Sequence, residues 1–340
     1  MAVLVASRGM GILSRNIEDY PEGIIVPVNK PYRWTSADVV RKLKFAAKKH
    51  FGQKNLKVGH AGTLDPLATG VLIICIGKAT RLAEEIQRSD KEYVAGITFG
   101  ATTPSYDLEK PIDKFYAHDG VTPEAVAGAL TSFIGEQEQI APLFSAKSVD
   151  GVRAYELARK LYRDGSLDAL DAEAAALLSR QTIRIEEAEL LAFEEADLLS
   201  VDGTDSLRPE EADLTGECPA GPPCHLSVTF PLAGGGTTLQ DKPLSDSQNS
   251  SSGASCRINV TDNSHLALPR AEIRITCSKG TYIRAFARDL GEALGTGAHL
   301  HSLCRTACGG FRVEAALSLE DATALLAPPA NGTIENQSLR

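Results

Sequence analysis

Regular patterning begins at Gly23, where Gly-Ile-Ile-Val-Pro-Val predicts a strand over 23–28, closed by a turn at Asn29-Lys30-Pro31. An amphipathic helix follows, with Ser36 in the capping position. Val39, Val40, Leu43 and Ala47 form its apolar face, while Arg41, Lys42, Lys44, Lys48 and Lys49 occupy the other. Lys57 to Gly62 leads into a loop, Thr63-Leu64-Asp65-Pro66-Leu67. The unbroken apolar run Val71 to Ile76, bounded by Gly70 and Gly77, then predicts a buried strand. Tyr93 to Phe99 alternates as a further strand. Helical spacing returns at Thr122 to Ile134, with Thr122 as cap and Pro123 in the first turn, and again at Arg153 to Arg163. Strands are predicted at Thr182 to Phe193 and Glu272 to Cys277. The last long helix, Thr281 to Leu294, carries Ile283, Phe286, Ala287, Leu290 and Leu294 on one face and ends at Gly295. No internal repeat is found.

Between those last two strands the chain changes character. It becomes rich in Gly, Ser, Asp and Pro, with Gly234-Gly235-Gly236 and the polar run Ser245 to Ser255, and Cys224 to Leu232 is its one candidate strand. The layout expected is an N-terminal extension over 1–22, a first part of the folded domain over 23–195, and an acidic, Gly/Ser-rich insertion over 196–268. The second part of the domain then covers 269–327, with a disordered tail over 328–340.

Charge sharpens this division. The net charge is −9, but residues 186–217 carry twelve acids against Arg208, so the remainder comes to +2. Arg41 to Lys57 holds seven basic residues and no acid, a density suited to phosphates or to a solvated helix face. No apolar run reaches the roughly 18 residues that span a bilayer, and Met1 to Ala6 is too short for a secretory core. A cytoplasmic protein is expected. Arg8, Arg15 and the absence of acid before Glu18 leave organellar targeting by residues 1–17 as the alternative.

Seven cysteines, with no Cys-x-x-Cys pair, indicate neither a zinc site nor a disulfide framework; Cys304 and Cys308 are spaced to meet on a helix face. Gly77-Lys78-Ala79-Thr80 lacks the spacing and hydroxyl of a phosphate-binding loop. The informative segment is Gly59-His60-Ala61-Gly62-Thr63-Leu64-Asp65-Pro66-Leu67-Ala68-Thr69-Gly70. Its glycines let the backbone turn, Pro66 fixes the chain after Asp65, and the strand behind gives the carboxylate a rigid base. An isolated Asp-Pro is more often a simple turn.

His60 to Gly70, followed by Gly77-Lys78-Ala79-Thr80-Arg81, resembles the catalytic motif of the TruB-type family of tRNA pseudouridine synthases, relatives of dyskerin. Collinear with it are Asn29-Lys30-Pro31, Asp90-Lys91-Glu92-Tyr93, Phe144-Ser145-Ala146-Lys147 with Arg153-Ala154-Tyr155, and Cys277 to Arg284 with Gly297-Ala298-His299-Leu300. The resemblance covers about 24–193 and 270–322. It implies an α+β pseudouridine synthase fold, a central mixed or antiparallel sheet flanked by helices with a cleft across it. It also implies isomerisation of uridine 55 in the TΨC arm of tRNA, by base flipping and an aspartate nucleophile.

By that resemblance Asp65 is the nucleophile, Arg284 its ion-pair partner and Tyr282 an aid to proton transfer. Tyr93 stacks on the flipped base, His60 fills the space it leaves, Leu303 and Asp107 line the pocket, and Lys30 and Lys78 lie near RNA. No cofactor, metal or membrane is implied, and tRNA is the expected partner of a monomer. Two departures stand out: Leu303-Cys304-Arg305-Thr306 has one basic residue fewer than the family's Leu-Arg-Arg-Thr, and Lys147 replaces an apolar residue. No PUA domain is expected after Leu326. An RNA-binding protein that kept the scaffold without the reaction, or an enzyme acting on other RNA hairpins, are the alternatives.

Overall fold

The computed structural model describes residues 2–142, 144–145, 148–149, 152–163, 180–196 and 260–327. Most of the insertion, the candidate strand Cys224 to Leu232, Lys147 and the tail over 328–340 lie outside the described residues.

The strands are β1 (Leu4–Val5), β2 (Ile24–Lys30), β3 (Val58–His60), β4 (Thr69–Ile76), β5 (Lys91–Phe99), β6 (Ala101–Thr102), β7 (Lys114–Phe115) and β8 (Gly135–Gln139). After β9 (Ser148–Val149) and β10 (Val152–Arg153) come β11 (Gln181–Glu194), β12 (Arg270–Cys277), β13 (Ala298–Cys308) and β14 (Phe311–Arg312). The helices are α1 (Ser36–Phe51), α2 (Ala83–Arg88), α3 (Pro123–Thr131), α4 (Ala154–Arg163), α5 (Ile283–Ala293) and α6 (Leu319–Ala324). One ten-stranded sheet runs in the order β1-β2-β4-β13-β5-β12-β11-β8, with β3 joined to β4 and β14 to β13. It is mixed: β1 with β2 and β4 with β13 are parallel, and its other pairs are antiparallel. The α+β class read from the sequence therefore holds.

The reason β4 reads as a continuous apolar run is visible in its packing. Leu72, Ile74 and Ile76 enter the main core on one face, while Val71, Ile73 and Cys75 enter a second cluster with Ile25, Ala61 and Ala79 on the other. β12 instead alternates buried and half-buried positions, since only one of its faces is covered. Helix α5 closes that core through Phe286, whose ring meets Phe133 edge to face at 5.1 Å.

Several expectations are corrected. β2 continues through Lys30 instead of turning at Asn29, because both residues pair with β4. Thr35 caps α1 through a reciprocal box with Asp38, leaving the Ser36 hydroxyl to bond the backbone N–H and carbonyl of Leu64. Cys304 and Cys308 lie on strand β13, which the sequence pattern concealed: its register shifts near Leu300/Ser302 and Arg305/Ala307 break the period of two. Residues 2–22 are bound to the body, with Ala6 N–H donating to Ile25 and Leu13 N–H to Leu325. Residues 260–268 belong to it as well: the Thr261 N–H donates to Leu108, and Asn263 and Leu268 are buried.

At the parallel contact Gly70 faces Arg305 with φ +101, and a Cβ there would collide with the Arg305 backbone. Gly70→Ala is expected to lower unfolding free energy by at least about 2 kcal/mol, through left-handed strain and lost strand contact together, as read by urea denaturation.

Candidate active site

The loop 61–68 leaves β3, folds back along β4 and re-enters the sheet at Thr69. Four groups hold it. The Ser36 hydroxyl bridges Leu64 from the start of α1 at 2.9 and 3.0 Å. The Lys30 ammonium, fully buried, donates to the carbonyls of Pro31, Trp34 and Pro66 at 3.0, 2.6 and 3.1 Å. The Arg305 guanidinium, 1% exposed, donates to Val71, Thr63 and Gly62 at 2.9, 3.3 and 3.2 Å. Arg284, second residue of α5, grips Asp65 in a two-pronged pair: Nε to Oδ2 at 2.9 Å and Nη2 to Oδ1 at 3.2 Å.

This last pair is asymmetric in burial, 6% exposure for the Arg284 side chain against 37% for Asp65. The carboxylate is fixed from behind and open in front. Asp107 lies 3.8 Å from Arg284 Nε and accepts from the Ser105 hydroxyl at 2.6 Å and the Glu109 N–H at 2.9 Å. Burial raises its pKa against the pull of Arg284. For Arg284, burial works to lower the pKa, but the carboxylates of Asp65 and Asp107 outweigh it and the guanidinium is held more firmly charged than usual. A cleft beside this cluster is walled by Asp65, Leu67, Asp107, Arg284, His301 and Leu303.

The tyrosines flank the cluster. Tyr282 takes the residue before α5, where Gln139 clamps it by accepting from its N–H at 2.8 Å and donating to its carbonyl at 3.2 Å. Burial, and then the nearby Asp65 charge, raise its pKa, so the phenol keeps its proton. Tyr93, nearly buried on β5, pairs across the sheet with Arg305, and its pKa is pushed up to about 12 by burial against the opposing pull of that cation. Leu303, paired with Ala95, faces the same side of the sheet. His60 sits half-buried at the end of β3; burial and the Arg305 charge lower its pKa.

Thus the structure gathers Asp65, Arg284, Asp107, Tyr282 and Leu303 in one place, with Lys30, Tyr93 and His60 around the loop. Lys78 it does not bring in. That residue is exposed on the 3-10 turn after β4, roughly 20 Å along the strand from the Asp65 end. Sequence reasoning missed the anchoring work of Arg305, which it noted only within the Leu303-Cys304-Arg305-Thr306 run, and the places of His301 and Ser105 beside the pocket. Strand alternation at Leu303 and Arg305 was the available signal for the first. His301 gave none, since it sits in the register shift over Gly96.

A carboxylate presented at the edge of a cleft, aimed by a buried arginine and overlooked by a phenol, is an arrangement suited to nucleophilic chemistry on a bound substrate. The comparisons assign the family. Residues 48–200 match the TruB family pseudouridylate synthase N-terminal domain, and 284–340 match the tRNA pseudouridylate synthase B C-terminal domain. A protein named tRNA pseudouridine synthase B from Phocaeicola vulgatus is 41% identical over 89% of this chain and 92% of its own length. One of the same name from Bacteroides thetaiotaomicron is 39% identical over the same shares. A chain from the crystal structure of a Cbf5-Nop10-Gar1 complex overlays at TM-score 0.48 and 20% identity, covering 95% of this chain and 62% of that one. The chain belongs to the TruB family of pseudouridylate synthases.

Burial of Lys30 lowers its pKa from 10.5 to about 8, with Asp65 opposing the shift. Below pH 8 folded and unfolded chains both carry the proton, so the burial cost is constant. Between pH 8 and 10.5 only the unfolded chain carries it, and stability rises with pH. The unfolding free energy of the wild type minus that of Lys30→Met, measured in urea, is therefore expected to climb by about 3 kcal/mol across that window.

Proposed function

We propose that this chain is a tRNA pseudouridine synthase acting on uridine 55 of the TΨC arm, as a monomer in the cytoplasm, with Asp65 as nucleophile. The observation that carries this reading is the two-pronged Arg284–Asp65 pair, which fixes the carboxylate from behind and leaves its open edge in the cleft. The names of the relatives from Phocaeicola vulgatus and Bacteroides thetaiotaomicron support tRNA as the substrate.

In this scheme the uridine leaves its stack and enters the cleft against Leu303 and the side of the sheet that carries Tyr93. Asp65 attacks the nucleoside, at the base or at ribose C1′. The bond from C1′ to N1 breaks, the uracil turns, C5 bonds to C1′, and the bond formed by Asp65 is broken again so that its carboxylate is released. The C5 proton is then lost and N1 gains one, with Tyr282 placed to assist that exchange. Atoms and oxidation level are conserved, so the isomerisation itself consumes no redox partner or energy source. Asp107 and Arg284 hold the pocket's polar wall. His60, at the end of β3 just before the loop, takes the vacated place in the RNA.

Asp65→Asn tests the assignment. The amide is nearly isosteric but a far poorer nucleophile, so tritium release from tRNA labelled at uridine C5 is expected to vanish while tRNA affinity stays within about tenfold. Turnover by this variant at near the parental rate removes Asp65 from its role. Loss of binding without any loss of chemistry at saturating tRNA assigns it to recognition instead.

A further inference from the structure

Helix α1 does two things at its two ends. Its first turn is bonded to the catalytic loop through Ser36 and Leu64, and its remaining turns lead away for about 20 Å. Val39, Leu43, Ala47 and Phe51 bury one face. The opposite face is exposed and basic. Arg41, Lys44 and Lys49 are exposed there, Lys48 is partly so, and Lys54 is exposed in the turn after the helix. Among the described residues Lys44, Lys48, Lys49 and Lys54 form no salt bridge, whereas Arg41 is paired with Asp38 and Lys42 lies over the Trp34 ring at 5.3 Å. In the middle of this face, one turn from both Arg41 and Lys49, stands Phe45 at 73% exposure.

Unpaired cations cost nothing to redirect, and a row of them without acids is complementary to a polyanion. An aromatic left at the centre of such a face has no partner in the fold. From these observations we infer that the outward face of α1 is a second RNA-binding surface of this enzyme, holding the phosphate backbone of the stem that carries the target uridine. Lys44, Lys48 and Lys49 contact phosphates and Phe45 packs against the sugars between them. The inference rests on the function proposed above. It adds that the protein reads the shape and charge of the stem beyond the flipped nucleotide, so that α1 sets the direction from which the stem reaches Asp65.

The test uses the full chain and an unmodified tRNA transcript. Affinity is measured from 50 to 300 mM salt for the wild type, for Lys44→Gln/Lys48→Gln/Lys49→Gln, for the matching triple Arg variant and for Phe45→Ala. Circular dichroism verifies that each variant is folded. The Gln variant is expected to lose two to three from the slope of log affinity against log salt, because each phosphate contact contributes about 0.9, and to raise KM for tRNA at least fivefold. The Arg variant should restore both. Phe45→Ala should weaken binding about threefold with the slope unchanged. If the wild type forms pseudouridine in tRNA but the Gln variant keeps its slope and KM, or the Arg variant fails to restore them, the face is merely solvated and the inference falls. Unchanged binding by Phe45→Ala removes the aromatic from the surface. If the wild type forms no pseudouridine in tRNA, the function proposed above falls first and this surface with it.

Discussion

A guanidinium buried with carbonyls instead of a carboxylate is the constraint on which this active site is built. Arg305 is 1% exposed and forms no salt bridge among the described residues; its donors go to Gly62, Thr63 and Val71. Taking a cation out of water onto neutral dipoles is unfavourable unless all its donors are used. The strand geometry makes that possible, because β13 runs parallel to β4 only at Cys304 and Arg305, opposite Thr69 and Gly70. Without a side chain at Gly70 the two backbones close, and the arginine reaches under the loop.

Two more cations complete the arrangement. Lys30 holds the Pro66 carbonyl from β2, and Arg284 holds the Asp65 carboxylate from α5. Loop carbonyls therefore point inward to buried charge, and one carboxylate edge points outward. Fixed in this way, the carboxylate needs little reorganisation when a substrate arrives. The lowered pKa of Lys30 and the raised one of Tyr93 are side effects of the same crowding: both groups sit in a dry region whose charges serve the loop.

How much of this could be read beforehand follows from where each signal resides. That Asp65, Arg284 and Tyr282 come together was legible from motif order, and β4 was legible because a strand buried on both faces leaves an unbroken apolar run. The cap of α1 was misplaced by one residue, since Thr35 and Ser36 are both capping types and only the tertiary bond to Leu64 separates their roles. β13 was missed because two register shifts interrupt its alternation and because His299, His301 and Arg305 are polar. His299 and Arg305 are buried and His301 half-buried for reasons supplied by other strands: His299 bonds the Ala101 carbonyl at 3.0 Å and His301 meets the Thr98 hydroxyl at 3.0 Å. A local pattern cannot contain such partners. Lys78 was the opposite case, a motif residue close to Asp65 in sequence and separated from it by the length of a strand.

On the RNA-binding surface proposed for α1, its position ties recognition to chemistry more tightly than a surface loop could. A helix is stiff over its length, and this one is fastened at Ser36 to the residue before Asp65 and along its buried face to the core. Any RNA held on its outer face is therefore held at a set distance from the carboxylate. A base that has left its stack must find the nucleophile within a few tenths of an ångström, and misplacement on that scale costs rate steeply. An enzyme could meet this demand with many contacts around the base itself. Here the loop of Asp65 is bonded from several sides, and on the proposal that α1 holds the RNA stem, a basic helix rooted at that loop is the element of this fold suited to delivering the stem in register.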